Sequence, residues 1–172
     1  SVYGDYVFEA CVTLAGDENP DNDCKTKTVT NLEPSLCVDN LYSSGCSFGD
    51  GLISWNFANV DVPDIPCSGT PEWYHDYTDM VHEFEAGETY TLTVVAGYAT
   101  TNFDVWIDWN DDLDLTDDEI ILNDGACADA NVPYTFEVTI PADAPGGDHI
   151  LRFRTNWIDP VVDACETYSY GN

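Results

Sequence analysis

The stretch FDVWIDWNDDLDLTDDEIIL, residues 103–122, places a dense acidic run between two apolar segments. The apolar segments are rich in Val, Ile, Phe and Trp, which favour β-strands. They predict strands at Asp104–Trp109 and Glu119–Leu122, with the acidic run as the loop between them. So many carboxylates in one loop repel each other, and something must hold them together.

The rest of the chain repeats this pattern, because its apolar residues recur with period two between Gly, Pro, Asn and Asp clusters. No segment carries a helical stripe. The sequence therefore predicts an all-β fold, an antiparallel β-sandwich or jelly-roll-like arrangement with an N-terminal β-hairpin extension. The other predicted strands are Tyr6–Leu14, Cys24–Asn31, Gly51–Val60, Met80–Glu85, Thr89–Ala96, Tyr134–Ile140 and Asp148–Thr155.

The 172 residues suffice for one good core with a small appendage. A boundary near Pro34 divides residues 1–33, the predicted hairpin, from residues 34–172, the predicted sandwich. Cys11 and Cys24 lie symmetrically about the acidic turn of the hairpin and are predicted to form a disulfide. A two-stranded hairpin is marginally stable alone, so we expect it to add to another sheet or to a neighbouring chain.

The charge balance limits the partners, since 33 acidic residues against four basic ones give a net charge of −29. Such a chain repels nucleic acid and anionic membrane surfaces. No apolar stretch approaches the ~20 residues of a membrane span. Seven cysteines outside CxxC pairs indicate an oxidising compartment, so the protein is predicted to be secreted or on the cell surface. One thiol is left over, and pairing stays open among Cys37, Cys46, Cys67, Cys127 and Cys165.

The acidic run has the oxygen-ligand spacing of a twelve-residue calcium loop. With Asp108 at position 1, positions 3, 5, 7, 9 and 12 are Asn110, Asp112, Asp114, Thr116 and Glu119. Hard oxygen ligands without His or Cys suit Ca²⁺. Leu113 departs from the pattern, because position 6 is usually a Gly with positive φ. The alternative is a solvated acidic loop between strands.

Four aromatic residues raise the question of a sugar-binding platform, because ring faces can stack on a carbohydrate. They are Trp55, Trp73, Tyr74 and Tyr77. In a sandwich the same residues are more often core or interface.

No enzyme is predicted, since no serine lies in a GxSxG context and no carboxylate pair can be assigned acid and base roles. His75, His82 and His149 stand without ligand spacing and are expected to be surface or satisfied core residues. Arg152 and Arg154 alternate on a strand and share a face, where we expect them to pair with carboxylates.

The sequence also resembles the GEVED domain of secreted and surface bacterial proteins, over about residues 35–172. The resemblance is carried by FDVWIDWNDDLDLTDDEIIL, by YTFEVTIPADAPGGDHILRFRTNW and by the late ACETYSYGN. It implies an extracellular accessory β-sandwich without catalysis, and it aligns Asp108, Asn110, Asp112 and Glu119 with the acidic loop of the family. The preceding GDENPDND turn resembles the hairpin that ends an Ig-like repeat of the CARDB type.

The family pattern continues into a final strand where this sequence stops at Gly171-Asn172. A sandwich without that strand exposes an unpaired edge, and the N-terminal strand could fill the edge of the next subunit. Such a head-to-tail contact propagates as a filament. The sequence thus predicts a structural subunit of a secreted fibre or surface assembly. The alternatives are a fragment of a longer protein and a carbohydrate-binding, adhesive module.

Overall fold

The structure is a computed structural model, and it describes residues 4–12, 24–31, 36–67 and 73–172. These residues contain nine strands. The chain divides into two units, Ser1–Ser35 and Leu36–Asn172, and each is described by itself. The assignment of residues 1–33 and 34–172 as separate domains stays a prediction.

The first unit is a β-hairpin of β1 (Gly4–Cys11) and β2 (Cys24–Asn31). The strands pair antiparallel, with Gly4 opposite Asn31 and Cys11 opposite Cys24. Those two cysteines form the disulfide expected from the sequence. The predicted end of the first strand at Leu14 lies outside the described residues.

The second unit is an antiparallel sandwich of a four-stranded and a three-stranded sheet, which confirms the all-β prediction. The first sheet has the order β4-β3-β5-β8, formed by β3 (Leu52–Phe57), β4 (Val60–Val62), β5 (Thr89–Ala96) and β8 (Pro133–Thr139). The second has the order β7-β6-β9, formed by β6 (Thr101–Ile107), β7 (Ile120–Cys127) and β9 (Leu151–Trp157).

The main core lies between the two sheets. Leu92 and Val94 of β5 meet Phe103 and Val105 of β6, and all four side chains are fully buried. Cys127, the unpaired cysteine among the described residues, is buried in the same cluster. Burial raises the pKa of its thiol to about 11, so the thiol is protonated and unreactive at neutral pH.

A second core covers the other face of β6, where Trp106 is buried. This face is covered by irregular segments that precede β3 and follow β9 in the sequence. They contribute Leu41, Tyr42, Val161 and Tyr168. Strand β6 is therefore buried on both faces. The acidic loop begins at the end of this strand, so its first residue starts from a fixed position.

Arg154 of β9 joins the covering segments to the sheet. Its guanidinium is 1% exposed and donates hydrogen bonds to the carbonyl oxygens of Leu41, Ala164 and Glu166. The rings of Tyr42 and Tyr168 lie 4.8 and 5.1 Å from its Cζ. The expected carboxylate partner is thus wrong, because main-chain carbonyls and aromatic rings accommodate the buried charge instead.

Two disulfides add covalent links to the second unit. Cys37 is bonded to Cys165 beside the Arg154 cluster, and Cys46 is bonded to Cys67. The first bond closes a loop of 128 residues, and cross-links across long loops remove much of the entropy of the unfolded chain.

Several predicted strands differ from the observed ones at their ends, for example Glu119–Leu122, which extends to Cys127 as β7, and two differ by more than their ends. Gly51–Val60 is split into β3 and β4 by a turn at Ala58, whose φ is 52°. Met80–Glu85 is irregular, because its main chain bonds to a side chain and not to a strand. The Asn59 amide donates to the carbonyl of Val81 and accepts the N–H of Glu83.

Replacing Arg154 by Leu is expected to lower the free energy of unfolding by about 3 kcal/mol or more, because buried carbonyls lose their donors. Chemical denaturation followed by tryptophan fluorescence measures this change. Asp61→Asn, at an exposed position of the edge strand β4, is the control and should stay within about 0.5 kcal/mol of the wild type. Equal midpoints for Arg154→Leu and the wild type would contradict the role given to Arg154.

Candidate functional site

The acidic loop folds around the carboxylate of Asp108, which is fully buried where β6 ends. One carboxylate oxygen accepts the N–H of Asp112 at 3.2 Å, and the other accepts the N–H of Leu113 at 3.0 Å. Both oxygens therefore act as acceptors, as an ionised carboxylate does. The loop turns back over its own first residue.

Leu113, at the position where such loops usually have Gly, has a φ of 65°. The loop makes the left-handed turn that the calcium-loop pattern requires, although the residue carries a side chain. Leu in place of Gly at position 6 therefore leaves the shape of the turn unchanged but raises its conformational free energy. A left-handed conformation costs a residue other than Gly about 1–2 kcal/mol.

Glu119 closes the loop from its far end. The side chain is 4% exposed, and its two carboxylate oxygens accept the N–H groups of Trp109 at 3.1 Å and Thr116 at 2.9 Å. Glu119 also ends a short 3₁₀ helix, Asp117–Glu119. The loop thus buries one carboxylate at each end, at positions 1 and 12 of the predicted ligand set.

The other predicted ligands, Asn110, Asp112, Asp114 and Thr116, are exposed. The Asn110 side chain accepts the N–H of Asp112, and the Asp112 side chain accepts the N–H of Asp114. Among the described residues, three His, Cys or carboxylate ligand atoms come within 4.8 Å of one another only at Glu9, Cys11 and Cys24. That group is no metal site, since both cysteines are in a disulfide.

The donor chemistry of the loop nevertheless fits a hard cation. Asp108 and Glu119 are buried carboxyl groups, and no basic side chain pairs with either of them within the described ranges. His149 instead contacts the exposed Asp111, with Nδ1 and Oδ1 at a hydrogen-bond distance of 3.0 Å. Next to the loop, a hollow of about 500 Å³ is lined by four further carboxylates. These belong to Asp114, Asp117, Asp118 and Asp163, and loop spacing alone does not reveal Asp163.

A larger cavity, of about 830 Å³, brings together all four aromatic residues singled out in the sequence. Trp55 comes from β3, and Trp73, Tyr74 and Tyr77 come from the irregular segment before β5. Trp109 of the acidic loop also lines it. The cavity lies entirely within the second unit.

Trp55 serves the core more than the cavity. Its indole is 6% exposed and stacks on Phe153 and on His82, with ring centroids 5.3 Å apart in each case. Trp73, Tyr74 and Tyr77 are partly exposed, and they also pack against the cores, Trp73 and Tyr74 on the second core and Tyr77 on the main core.

The three histidines, which the sequence left without a role, all line this cavity. Burial lowers the pKa of His75 and of His82, so both imidazoles are neutral at neutral pH. His82 packs among Trp55, Phe57 and Phe84, as expected of a core histidine. The convergence of the three residues depends on loop positions that period-two patterning does not reveal.

The fold is that of an all-β sandwich module, and the three disulfides of the chain fit an extracellular domain. The GEVED domain family model matches residues 102–172, which confirms the resemblance over that part of the chain. The match contains β6, the acidic loop, β7 to β9 and both arginines. Comparison with curated proteins and with solved structures found no match. Among the described residues, no helix has the length and apolar character to cross a membrane.

Leu113→Gly is expected to stabilise the protein by up to about 1 kcal/mol, because Gly adopts positive φ without strain. Some of this gain is lost, since Gly also increases the entropy of the unfolded chain. Thermal unfolding measures the shift. Leu115→Gly is the control and should destabilise, because Leu115 is buried in the second core. A lower melting point for Leu113→Gly would contradict strain at this position.

Proposed function

We propose that the protein is a non-enzymatic extracellular structural module that is stapled by disulfides, stabilised by calcium and assembled with copies of itself. Its N-terminal hairpin adds to the sandwich of a neighbouring subunit. One observation carries this proposal: every β1 side chain, and every β2 side chain from Cys24 to Thr30, is exposed. A hairpin without a buried side chain among these positions gains little from folding alone and is stabilised by a partner.

The two faces of the hairpin differ in chemistry. The strand register places Tyr6 opposite Val29, Phe8 opposite Lys27 and Ala10 opposite Lys25. Paired residues share a face, so aromatic rings and both lysines of the chain lie on one side. Apolar rings favour burial, and the lysines complement the acidic surface of another copy. This face is therefore the docking face that we assign to strand addition.

Strand addition predicts that Phe8→Asp abolishes self-assembly, because it places a charge in the docking face. Electron microscopy and light scattering of the purified protein should show polymers for the wild type and dispersed subunits for the variant. Thr26→Asp is the matched control, since it adds the same charge on the opposite face beside Glu9. Polymers that persist in Phe8→Asp, or a dispersed wild type, would reject this mechanism.

Calcium binding at the acidic loop is the second part of the proposal. Its support is the pair of buried carboxylates with no basic partner among the described residues, the twelve-residue spacing and the left-handed turn at Leu113. Asn110, Asp112, Asp114 and Thr116 would complete the oxygen ligands together with Asp108 and Glu119. A bound divalent cation would offset the repulsion among these carboxylates and stabilise the bend between β6 and β7.

Calcium is expected to raise the melting temperature, because a ligand bound only by the folded state stabilises it by mass action. Calorimetry with calcium or with EDTA measures the difference. The double variant Asp112→Asn, Asp114→Asn should lose most of the calcium-dependent shift. The control Asp61→Asn, Asp64→Asn removes the same charge from exposed residues away from the loop and should retain it. An EDTA-insensitive melting temperature for the wild type would count against the site.

A second candidate function, carbohydrate binding by an adhesive module, is favoured by the cavity that collects Trp73, Tyr74 and Tyr77. Its volume lies within the range of ~300–1,000 Å³ typical of small-molecule sites. Titration with a neutral methyl glycoside, followed by tryptophan fluorescence, tests it, since Trp73 and Trp109 line the cavity.

A further inference from the structure

Two arginines of β9 lie on one face of the strand but differ in how their charges are accommodated. Arg154 uses Nε, Nη1 and Nη2 in hydrogen bonds to the Tyr42 hydroxyl and to main-chain carbonyls. Arg152 is 5% exposed, and its Nη1 donates to the carbonyl oxygen of Cys37 at 2.7 Å. The Nε and Nη2 atoms of Arg152 have no hydrogen-bond partner within the described residues.

The unpaired nitrogens of Arg152 form one edge of the guanidinium. Nε and Nη2 carry parallel N–H groups, the fork that binds the two oxygens of a carboxylate. Burial is the main reason that the pKa of Arg152 is lowered to about 10, and the charge of Arg154 adds to it. The group is still cationic at neutral pH. Leaving a buried charged donor unsatisfied costs stability, so this edge is suited to a partner that arrives with a ligand.

Arg152 lines the ring-lined cavity of about 830 Å³. The Nε2 atoms of His75 and His149 are also buried without a partner, and both residues line the same cavity. The carboxylates among the lining residues, Glu83 and Asp148, are both exposed. The cavity therefore combines aromatic rings with unsatisfied nitrogens, in a chain whose surface is otherwise strongly acidic.

We propose that this cavity binds a small ring-shaped monocarboxylate of the uronic acid type, with its carboxylate on the Nε and Nη2 edge of Arg152. Trp73 and Tyr77 would contact the ring of the ligand. A net charge of −29 disfavours polyanions, whereas a single negative charge is offset by one guanidinium. This inference rests on the second proposed function, ligand binding in the cavity, and adds the charge of the ligand to it.

Access to the fork requires a movement of the side chains around it. The two unpaired nitrogens are covered in the structure, and the partly exposed ring of Tyr74 lies 5.7 Å from Cζ of Arg152. A bound carboxylate requires the neighbouring side chains, Tyr74 among them, to shift enough to expose these nitrogens.

Calorimetric and fluorescence titration of the full chain with D-glucuronate and with neutral methyl glucoside tests the inference. We expect glucuronate to bind at least tenfold more tightly than the glucoside. Arg152→Lys keeps the charge but loses the fork, and should weaken glucuronate binding at least tenfold. Glu137→Gln, at an exposed position of β8 outside the cavity, is the control and should bind as the wild type does. Near-ultraviolet circular dichroism checks that each variant is folded.

Each outcome decides a different claim. Equal affinity for the two sugars would overturn the carboxylate inference and leave the carbohydrate-binding function in place. No binding of either sugar would overturn both. Glucuronate affinity unchanged in a folded Arg152→Lys protein would overturn the role of Arg152. If that variant does not fold, His75→Gln and His149→Gln replace it. The site would then be overturned if both of these variants still bind glucuronate selectively.

Discussion

The buried guanidinium of Arg154 is the constraint on which the second unit depends. It lies against the rings of Tyr42 and Tyr168 and donates to the carbonyl at position 41, near the start of the unit, and to those at positions 164 and 166, near its end. A buried cation is tolerated only when its hydrogen bonds are made, so these segments must be in place for β9 to pack. Because they cover Trp106, the same interaction sets the environment of β6.

The acidic loop inherits its geometry from that arrangement. With β6 buried on both faces, Asp108 enters the interior as the strand ends, and Glu119 returns to meet the N–H groups of Trp109 and Thr116. Local hydrogen bonds fix the loop, and a cation would act on the charges that those bonds leave uncompensated. The two functional proposals for the second unit thus share one scaffold.

Sequence patterning located the strands well where both ends carry turn signals, as at Thr89–Ala96 and Cys24–Asn31, whose bounds agree with β5 and β2. It was wrong at Met80–Glu85, because an alternating pattern does not reveal that Asn59 takes the place of a partner strand. Spacing identified the acidic loop but not which carboxylates are buried. The ring-lined cavity could not be predicted from the sequence, because Trp73 and Arg152 lie far apart in the chain and only the fold brings them to one cavity.

The arginines have a further consequence for how the protein behaves in solution. Both cations of residues 36–172 point inward, so the exterior of that unit offers water only negative side chains and neutral ones. Counter-ions must gather around it, and copies repel each other over roughly 10 Å at moderate ionic strength, a distance that shrinks as salt is added. The rate at which two molecules associate will therefore be low at low ionic strength and will rise as salt is added.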